Sequence, residues 1–186
     1  MNDATTWLFD LDGTLVDTAP DLVGAVNDMR EDRGLKRLPE AQLRGESSNG
    51  ARGLLRAAMN IDVDHADFAA LRAEFLQRYA DREHRKTRLF AGVEDLLQTL
   101  EATGRAWGIV TNKPIALTRP LLEVLDIRPQ TVLGGDSAAR PKPHPESLWL
   151  ACAHLGVRAS RCLYLGDAPR DIDCLLYTSP SPRDLS

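Results

Sequence analysis

Short, mostly apolar runs alternate with amphipathic stretches along much of this chain. Four of these runs are only three or four residues long, which is typical of strands buried in a parallel sheet. They comprise residues 6–9, 107–110, 131–133 and 162–165. Apolar residues at helical spacing in 92–103 and 147–155 predict helices between the strands. This alternation favours right-handed crossovers in a parallel α/β sheet.

A different pattern fills residues 19–86, where no strand is predicted. The helical spacing there covers three segments, one between Thr18 and Gly34 and two over about 50–59 and 65–86. We interpret this block as an all-helical cap inserted into a doubly wound parallel sheet. The predicted boundaries are a core of residues 1–17 and 88–173 and a cap of residues 18–87.

The composition fits one core with a small accessory domain, since 43% of the 186 residues are hydrophobic. No apolar stretch approaches a membrane span and the N-terminus lacks a secretory pattern, so we expect a cytoplasmic protein with no membrane partner. Cys152, Cys162 and Cys174 are odd in number and lack metal-ligand spacing, so we expect reduced thiols rather than a disulfide or a zinc site. A net charge of −4 with both signs interspersed indicates no nucleic-acid partner, and the oligomeric state is left open.

Two carboxylates, Asp10 and Asp12, follow the first predicted strand, and Gly13 comes directly after them. Side chains two apart on extended backbone point the same way, and Gly13 then allows the chain to turn. Ligands of open parallel sheets bind outside the carboxyl ends of the strands. Because a strand-terminal Asp-x-Asp-Gly-Thr is far more specific than an isolated acidic pair, the motif indicates phosphoryl transfer.

The chemistry predicted from these residues is hydrolysis of a phosphate monoester. Asp10 is expected to attack phosphorus and form an aspartyl-phosphate, while Asp12 protonates the leaving oxygen and later activates water. The anionic phosphoryl group needs positive charge, which Lys142 would supply from a proline-flanked loop. Thr111 is expected to offer its hydroxyl to a phosphoryl oxygen, with Asn112 assisting in substrate binding.

A metal site is predicted where the last strand ends at Gly166 and Asp167. Asp10 and Asp167 match the preference of Mg²⁺ for a few carboxylates supplemented by waters and phosphate oxygens. Asp171 either assists this metal through a bound water or simply begins a helix.

Four motifs together resemble those of haloacid dehalogenase superfamily phosphatases with a helical cap, of the phosphoglycolate phosphatase type. The resemblance covers about residues 5–173. The motifs, in family order, are Asp10-Leu11-Asp12-Gly13-Thr14, Thr111-Asn112-Lys113-Pro114, Lys142-Pro143-His144-Pro145, and Gly166-Asp167 with Asp171. The resemblance implies a Mg²⁺-dependent aspartyl-phosphate mechanism, with the metal held by Asp10, the main-chain carbonyl of Asp12, and Asp167.

The resemblance also implies a small phosphorylated metabolite as substrate, with 2-phosphoglycolate as the first candidate. N-acetylmuramic acid 6-phosphate or another sugar phosphate is an alternative substrate, and a cap-bearing phosphomutase is an alternative reaction. Substrate choice is expected to lie with the cap, where Asn49, Gly50 and Arg52 stand at a predicted helix start and would bind an anionic or hydroxylated group. The alternative is that Ser48 or Asn49 caps the helix and Arg52 faces solvent.

The last residues depart from this pattern, and residues 174–184 resemble the translation of a transposase sequencing adaptor. We therefore expect natural sequence to stop near Asp173 and residues 174–186 to be a non-native disordered tail. The last strand and helices of the core would then be missing, which leaves an inactive truncated fragment as a further alternative.

Overall fold

The computed structural model describes residues 5–82 and 85–176. The chain divides between Leu15 and Val16, and again between Arg88 and Leu89, into two compact units. We call the unit that holds both chain ends the core unit and the intervening one the helical unit. The strands are β1 (Thr6–Phe9), β2 (Val16–Asp17), β3 (Arg88–Leu89), β4 (Trp107–Val110), β5 (Thr131–Leu133) and β6 (Cys162–Leu165). The helices are α1 (Ala19–Glu31), α2 (Glu40–Leu43), α3 (Gly50–Met59), α4 (Phe68–Ala80), α5 (Val93–Ala102), α6 (Ile115–Val124), α7 (Glu146–His154) and α8 (Pro169–Leu176), with 3₁₀ turns at Arg44–Asn49 and Ala159–Arg161.

The core unit is built on a parallel sheet, which in the described residues has the strand order β5-β4-β1-β6. β1 lies between β4 and β6, and Phe9 is in register with Ile109 on one side and with Leu165 on the other. All four residues of β4 are buried, as expected for an inner strand covered on both faces. The predicted α/β class with a parallel sheet and flanking helices is confirmed, and the four predicted strands have the predicted bounds.

Apolar side chains pack on both faces of this sheet. On one face, Leu8 and Val110 belong to a buried cluster that also includes Leu148 of α7 and Cys174 of α8. On the other face, Phe9 meets Trp107 edge to face with ring centroids 6.3 Å apart. Successive side chains of β1 therefore pack on opposite faces of the sheet, and the two packed layers together fix the position of the strand.

The helical unit has a core of its own, to which each of its four helices contributes. α1 packs against both α3 and α4. Its large buried apolar side chains include Val26 and Met29 of α1, Leu43 of α2, Leu54 and Leu55 of α3, and Phe75 and Tyr79 of α4.

One predicted helix is shorter than expected, because α4 covers Phe68–Ala80 rather than 65–86. The reason lies with Asp21, whose fully buried carboxylate Oδ2 accepts hydrogen bonds from the main-chain N–H groups of Lys86 and Thr87, at 2.9 and 2.8 Å. The Thr87 hydroxyl donates to the same oxygen at 2.8 Å. These hydrogen bonds hold Lys86 and Thr87 in a non-helical conformation. The charged residues 81–86 offer no apolar face that would favour a longer helix.

The start of the predicted tail differs from expectation, since residues 174–176 continue α8. Cys174 is fully buried in the apolar cluster below the sheet, and this packing favours the helix. The rest of the predicted tail, residues 177–186, lies outside the described residues. Within the described ranges, we find no helix that combines the length and apolar character needed to cross a bilayer.

The close approach of β4 and β5 gives a test of the sheet. A Cβ added at Gly108 would lie 2.5 Å from Cγ2 of Thr131 and 3.0 Å from its carbonyl oxygen. Because such overpacking forces strands apart, we expect Gly108→Ala to lower the free energy of unfolding by about 1–3 kcal/mol in urea titrations.

The matched control for this variant is Thr131→Ser, which removes the offending methyl but keeps the hydroxyl that lies 3.1 Å from Nδ1 of His154. The double variant should recover part of the stability lost in Gly108→Ala. If the stability loss in the double variant equalled the sum of the losses in the two single variants, the predicted contact would be contradicted.

Candidate active site

The candidate site lies at the carboxyl edge of the parallel sheet, where three strands deliver polar residues. Asp10 directly follows β1, Thr111 follows β4, and Gly166 and Asp167 follow β6. The main-chain N–H of Asp10 donates to the Leu165 carbonyl at 2.8 Å, so the strand ladder continues up to the site. The sheet therefore brings together residues that are up to about 150 positions apart in sequence.

Lys142 lies at the centre of this arrangement, with only 1% of its side chain exposed. Its Nζ lies 2.9 Å from Oδ1 of Asp10 and 2.7 Å from Oδ1 of Asp171. The Tyr164 hydroxyl oxygen is 2.7 Å from the same nitrogen. An ammonium group has three protons to donate, and these three acceptors account for all of them.

Asp10 is buried, and its Oδ1 also accepts a hydrogen bond from the N–H of Leu11 at 2.7 Å. Burial raises the pKa of the Asp10 carboxyl from 3.8 to about 6, and the Asp171 and Asp12 carboxylates act in the same direction. The Lys142 ammonium opposes this rise in pKa but does not cancel it. The carboxyl that was predicted to be the nucleophile thus lies in an environment that penalises its charge.

Asp171 uses both carboxylate oxygens within the protein. Oδ1 accepts from Lys142 and from the Tyr164 hydroxyl, the latter at 2.8 Å, and Oδ2 accepts from the N–H of Ala168 at 3.0 Å. Asp171 occupies the position of the helix-start alternative, whereas its assistance to a metal stays a prediction. It lies in the first turn of α8, as expected of a helix-start residue, and its carboxylate anchors Lys142.

Tyr164 is a site residue that the sequence reasoning missed. Its hydroxyl lies 3.1 Å from the Val110 carbonyl as well as close to Lys142 and Asp171. Burial, together with the Asp10 and Asp171 carboxylates, raises the pKa of Tyr164, so the hydroxyl keeps its proton. The available signal was a phenol in the otherwise apolar run that precedes Gly166 and Asp167.

Asn112 contacts the main chain of Lys142 through both polar atoms of its carboxamide. Nδ2 donates to the Lys142 carbonyl at 2.8 Å, and Oδ1 accepts from the Lys142 N–H at 2.9 Å. Asn112 therefore holds the lysine loop in place, whereas the sequence predicted a substrate contact. Thr111 is buried and its Oγ1 accepts from the N–H of Lys113 at 3.2 Å, which leaves the hydroxyl proton for donation.

Lys113 is a second buried cation that the sequence reasoning did not single out. Its Nζ lies 3.3 Å from Oδ1 of Asp12, and 5% of the lysine side chain and 18% of the aspartate side chain are exposed. Lys113 belongs to the second of the four motifs, but its pairing with Asp12 depends on the tertiary structure.

Asp167 lies against the turn that follows Asp12. The Thr14 hydroxyl donates to Oδ1 of Asp167 at 3.2 Å. Gly13 has a positive φ of 88°, and a Cβ there would lie 2.3 Å from Oδ2 of Asp167. Only glycine fits this conformation and this approach without displacing the carboxylate.

The donor set fits a divalent cation. Asp10, Asp167 and Asp171 each offer one ligand atom, and these atoms lie within 4.8 Å of one another. Among the described residues of the site, four carboxylates face two ammonium groups, so negative charge is in excess. The pKa of Asp10 is raised mainly by burial, and the Asp171 and Asp12 carboxylates add to the rise. A hard cation with oxygen ligands would offset the excess negative charge.

The predicted substrate residues of the cap lie together in the helical unit, where α3 begins at Gly50. Asn49 Nδ2 donates to Oε2 of Glu46 at 3.0 Å. Arg52 Nε donates to Oδ1 of Asp62 at 2.9 Å, although more than half of the arginine side chain is exposed. These ion pairs and hydrogen bonds within the unit leave the substrate role of Asn49, Gly50 and Arg52 a prediction.

Comparison with known proteins identifies relatives of this chain. The model of the haloacid dehalogenase-like hydrolase family matches residues 7–175. A phosphoglycolate phosphatase of Xanthomonas campestris pv. campestris is 47% identical over 167 residues, which is 89% of this chain and 75% of that protein. An N-acetylmuramic acid 6-phosphate phosphatase of Pseudomonas aeruginosa is 40% identical over 168 residues, covering 89% of this chain and 74% of that protein.

The structural comparison agrees with the sequence comparison. The crystal structure of a predicted phosphoglycolate phosphatase from Haemophilus somnus has a TM-score of 0.82 at 29% identity, with 95% of this chain and 83% of that chain covered. The chain thus belongs to the haloacid dehalogenase-like hydrolase family.

Proposed function

We propose that this protein is a Mg²⁺-dependent phosphatase that hydrolyses a small phosphate monoester through an aspartyl-phosphate on Asp10. The observation that carries the proposal is the placement of Asp10 at the end of the inner strand β1, buried and 2.9 Å from the Lys142 ammonium. Asp12 lies two residues further along, next to a second ammonium group. The family membership and the named phosphatases among the relatives support the same reaction class.

In the proposed reaction, the Asp10 carboxylate attacks phosphorus, and the bond between phosphorus and the leaving oxygen breaks. Asp12 in its acid form gives its proton to that oxygen, so the alcohol leaves neutral. The Asp12 carboxylate then takes a proton from water as the water attacks the aspartyl-phosphate. Inorganic phosphate is released and Asp10 returns to its starting form.

Two groups stabilise the transferring phosphoryl group in this scheme. Lys142 places positive charge beside Asp10 and offsets the repulsion between the nucleophile and a phosphate dianion. Thr111 donates its hydroxyl proton to a phosphoryl oxygen. Asp10, Asp167 and the main-chain carbonyl of Asp12 would hold Mg²⁺, which when bound neutralises the excess negative charge and polarises the phosphoryl oxygens.

We propose 2-phosphoglycolate as the substrate, since the relative at 47% identity is a phosphoglycolate phosphatase. N-acetylmuramic acid 6-phosphate is the second candidate, because the phosphatase for this ester is a relative of similar extent. We place the reaction in the cytoplasm. An odd number of cysteines without metal-ligand spacing favours reduced thiols over disulfides, which fits a reducing compartment.

Turnover of the two esters tests the proposal directly. With Mg²⁺, we expect release of inorganic phosphate from 2-phosphoglycolate at a higher kcat/KM than from N-acetylmuramic acid 6-phosphate. Turnover that required an added sugar bisphosphate would instead indicate a phosphomutase, and the reverse order of kcat/KM would favour the second substrate.

The nucleophile is tested with Asp10→Asn, which keeps the size of the side chain but removes its nucleophilic carboxylate. We expect kcat to fall about 10³-fold or more, since the covalent route needs this group. A cooperative thermal melt of the variant, with a melting temperature no lower than that of the wild-type protein, would serve as the control for folding. Substantial residual turnover in the variant would refute the aspartyl-phosphate mechanism.

The raised pKa of Asp10 makes the stability of the metal-free protein depend on pH. The folded pKa of about 6 exceeds the ordinary value of 3.8, so the proton binds more tightly to the folded state. Wild-type stability is therefore expected to fall as the pH rises from about 4 to about 7, by about 2–3 kcal/mol from this group. Asp10→Asn should lack this component and be more stable than wild type at pH 7.5.

Thermal melts of both proteins in EDTA and in Mg²⁺, at pH 4.5 and 7.5, measure this effect. Mg²⁺ should raise the melting temperature of the wild-type protein at pH 7.5 by more than that of Asp10→Asn, because the aspartate is a proposed ligand. Identical pH profiles of the two proteins in EDTA would contradict the assigned pKa shift. Equal responses to Mg²⁺ would contradict the assignment of Asp10 as a metal ligand.

A further inference from the structure

The site contains two buried lysines, and the structure divides them between the two carboxylates of the first motif. Nζ of Lys142 lies 2.9 Å from Asp10, while Nζ of Lys113 lies 3.3 Å from Oδ1 of Asp12. The proposed mechanism gives Lys142 a task at the phosphoryl group but gives Lys113 none. An ammonium group that is 95% removed from solvent is costly unless it is paired, so its position beside Asp12 calls for a role.

The backbone around Lys113 is fixed from several sides. Its N–H donates to the Thr111 hydroxyl oxygen at 3.2 Å, and its carbonyl accepts from the N–H of Gly135 at 2.9 Å. Two residues later, the N–H of Ile115 donates to Oδ1 of Asp136 at 2.9 Å, which ties the start of α6 to the same loop after β5. The lysine therefore extends from a loop whose main chain is held in place, and its side chain is restricted by burial, with 5% exposed.

Lys142 does not take over the pairing with Asp12, because its three protons are directed to Asp10, Asp171 and Tyr164. Each carboxylate of the motif thus has an ammonium partner from a different loop. The Asp12 side chain is also the more exposed of the two, at 18%, so its rotamer is less constrained by packing than that of Asp10. The Lys113 ammonium at 3.3 Å further constrains the Asp12 rotamer.

We propose that Lys113 is a positioning residue that holds the Asp12 carboxyl in line for proton transfer to the leaving oxygen. The inference rests on the proposed function, in which Asp12 is the acid and base. Lys113 acts through Asp12 and touches neither the phosphoryl group nor the leaving group. Its contribution is therefore largest for substrates whose leaving group must be protonated as it departs.

Three phosphate esters separate this role from others. 2-Phosphoglycolate and ethyl phosphate both release an alkoxide unless a proton is supplied, and only the first carries a carboxylate. p-Nitrophenyl phosphate releases a stable phenolate and needs no acid. The measured quantity is kcat/KM, which covers the steps up to departure of the leaving group and excludes the later attack by water.

For Lys113→Met, with Mg²⁺ present, we expect kcat/KM to fall about 10²-fold for both alkyl esters, while the value for p-nitrophenyl phosphate changes less than about threefold. Asp12→Asn should give the same order of sensitivity among the three esters. Lys113→Arg keeps the positive charge and should recover part of the activity on the alkyl esters. If Lys113→Met does not melt cooperatively, the ratio between esters is read from Lys113→Arg, where a smaller loss confined to the alkyl esters is expected.

Two outcomes would overturn the inference while leaving the proposed function intact. A loss of similar size on all three esters would mean that Lys113 supports the fold of the loop only. A loss on 2-phosphoglycolate alone would mean that Lys113 binds the substrate carboxylate. Wild-type protein that hydrolyses none of the three esters would instead refute the proposed function, and the inference with it.

Discussion

The Lys142 ammonium, buried between two carboxylates, is the interaction on which the site depends. Asp10, Asp171 and Lys142 come from the end of β1, the first turn of α8 and the loop after β5, so one charged cluster joins three segments of the core unit. None of these charges would be tolerated in the interior alone. Because removal of Lys142 would leave both buried carboxylates without their ammonium partner, the positions of the strand ends and the chemistry of the site are coupled.

Much of this architecture was accessible from the sequence, for a definite reason. Strands of a buried parallel sheet are continuous apolar runs, so β1, β4, β5 and β6 were predicted with their observed bounds. The residue that follows such a strand must lie at the carboxyl edge of the sheet. The positions of Asp10, Thr111 and Asp167 at one edge of the sheet therefore follow from the predicted strands alone, without knowledge of any side-chain contact.

The features that escaped prediction depend on pairs that are distant in sequence. Lys113 and Asp12 are 101 positions apart. Tyr164 of β6 contacts Lys142, which lies in the loop after β5. The early end of α4 has the same origin, since the buried carboxylate of Asp21 holds Lys86 and Thr87 in a non-helical path. Local periodicity carries no information about such contacts, because the partner's location is set by the folded chain.

The pairing of each lysine with one carboxylate of the first motif helps to explain why the site indicates the reaction class more clearly than the substrate. Asp10, Asp12 and their ammonium partners all belong to the core unit. In the proposed mechanism they act on the phosphoryl group and on the oxygen that leaves. Both features are common to 2-phosphoglycolate and to a sugar 6-phosphate. The proposed machinery therefore does not distinguish the two esters, and the choice between substrates must come from residues that contact the rest of the leaving group.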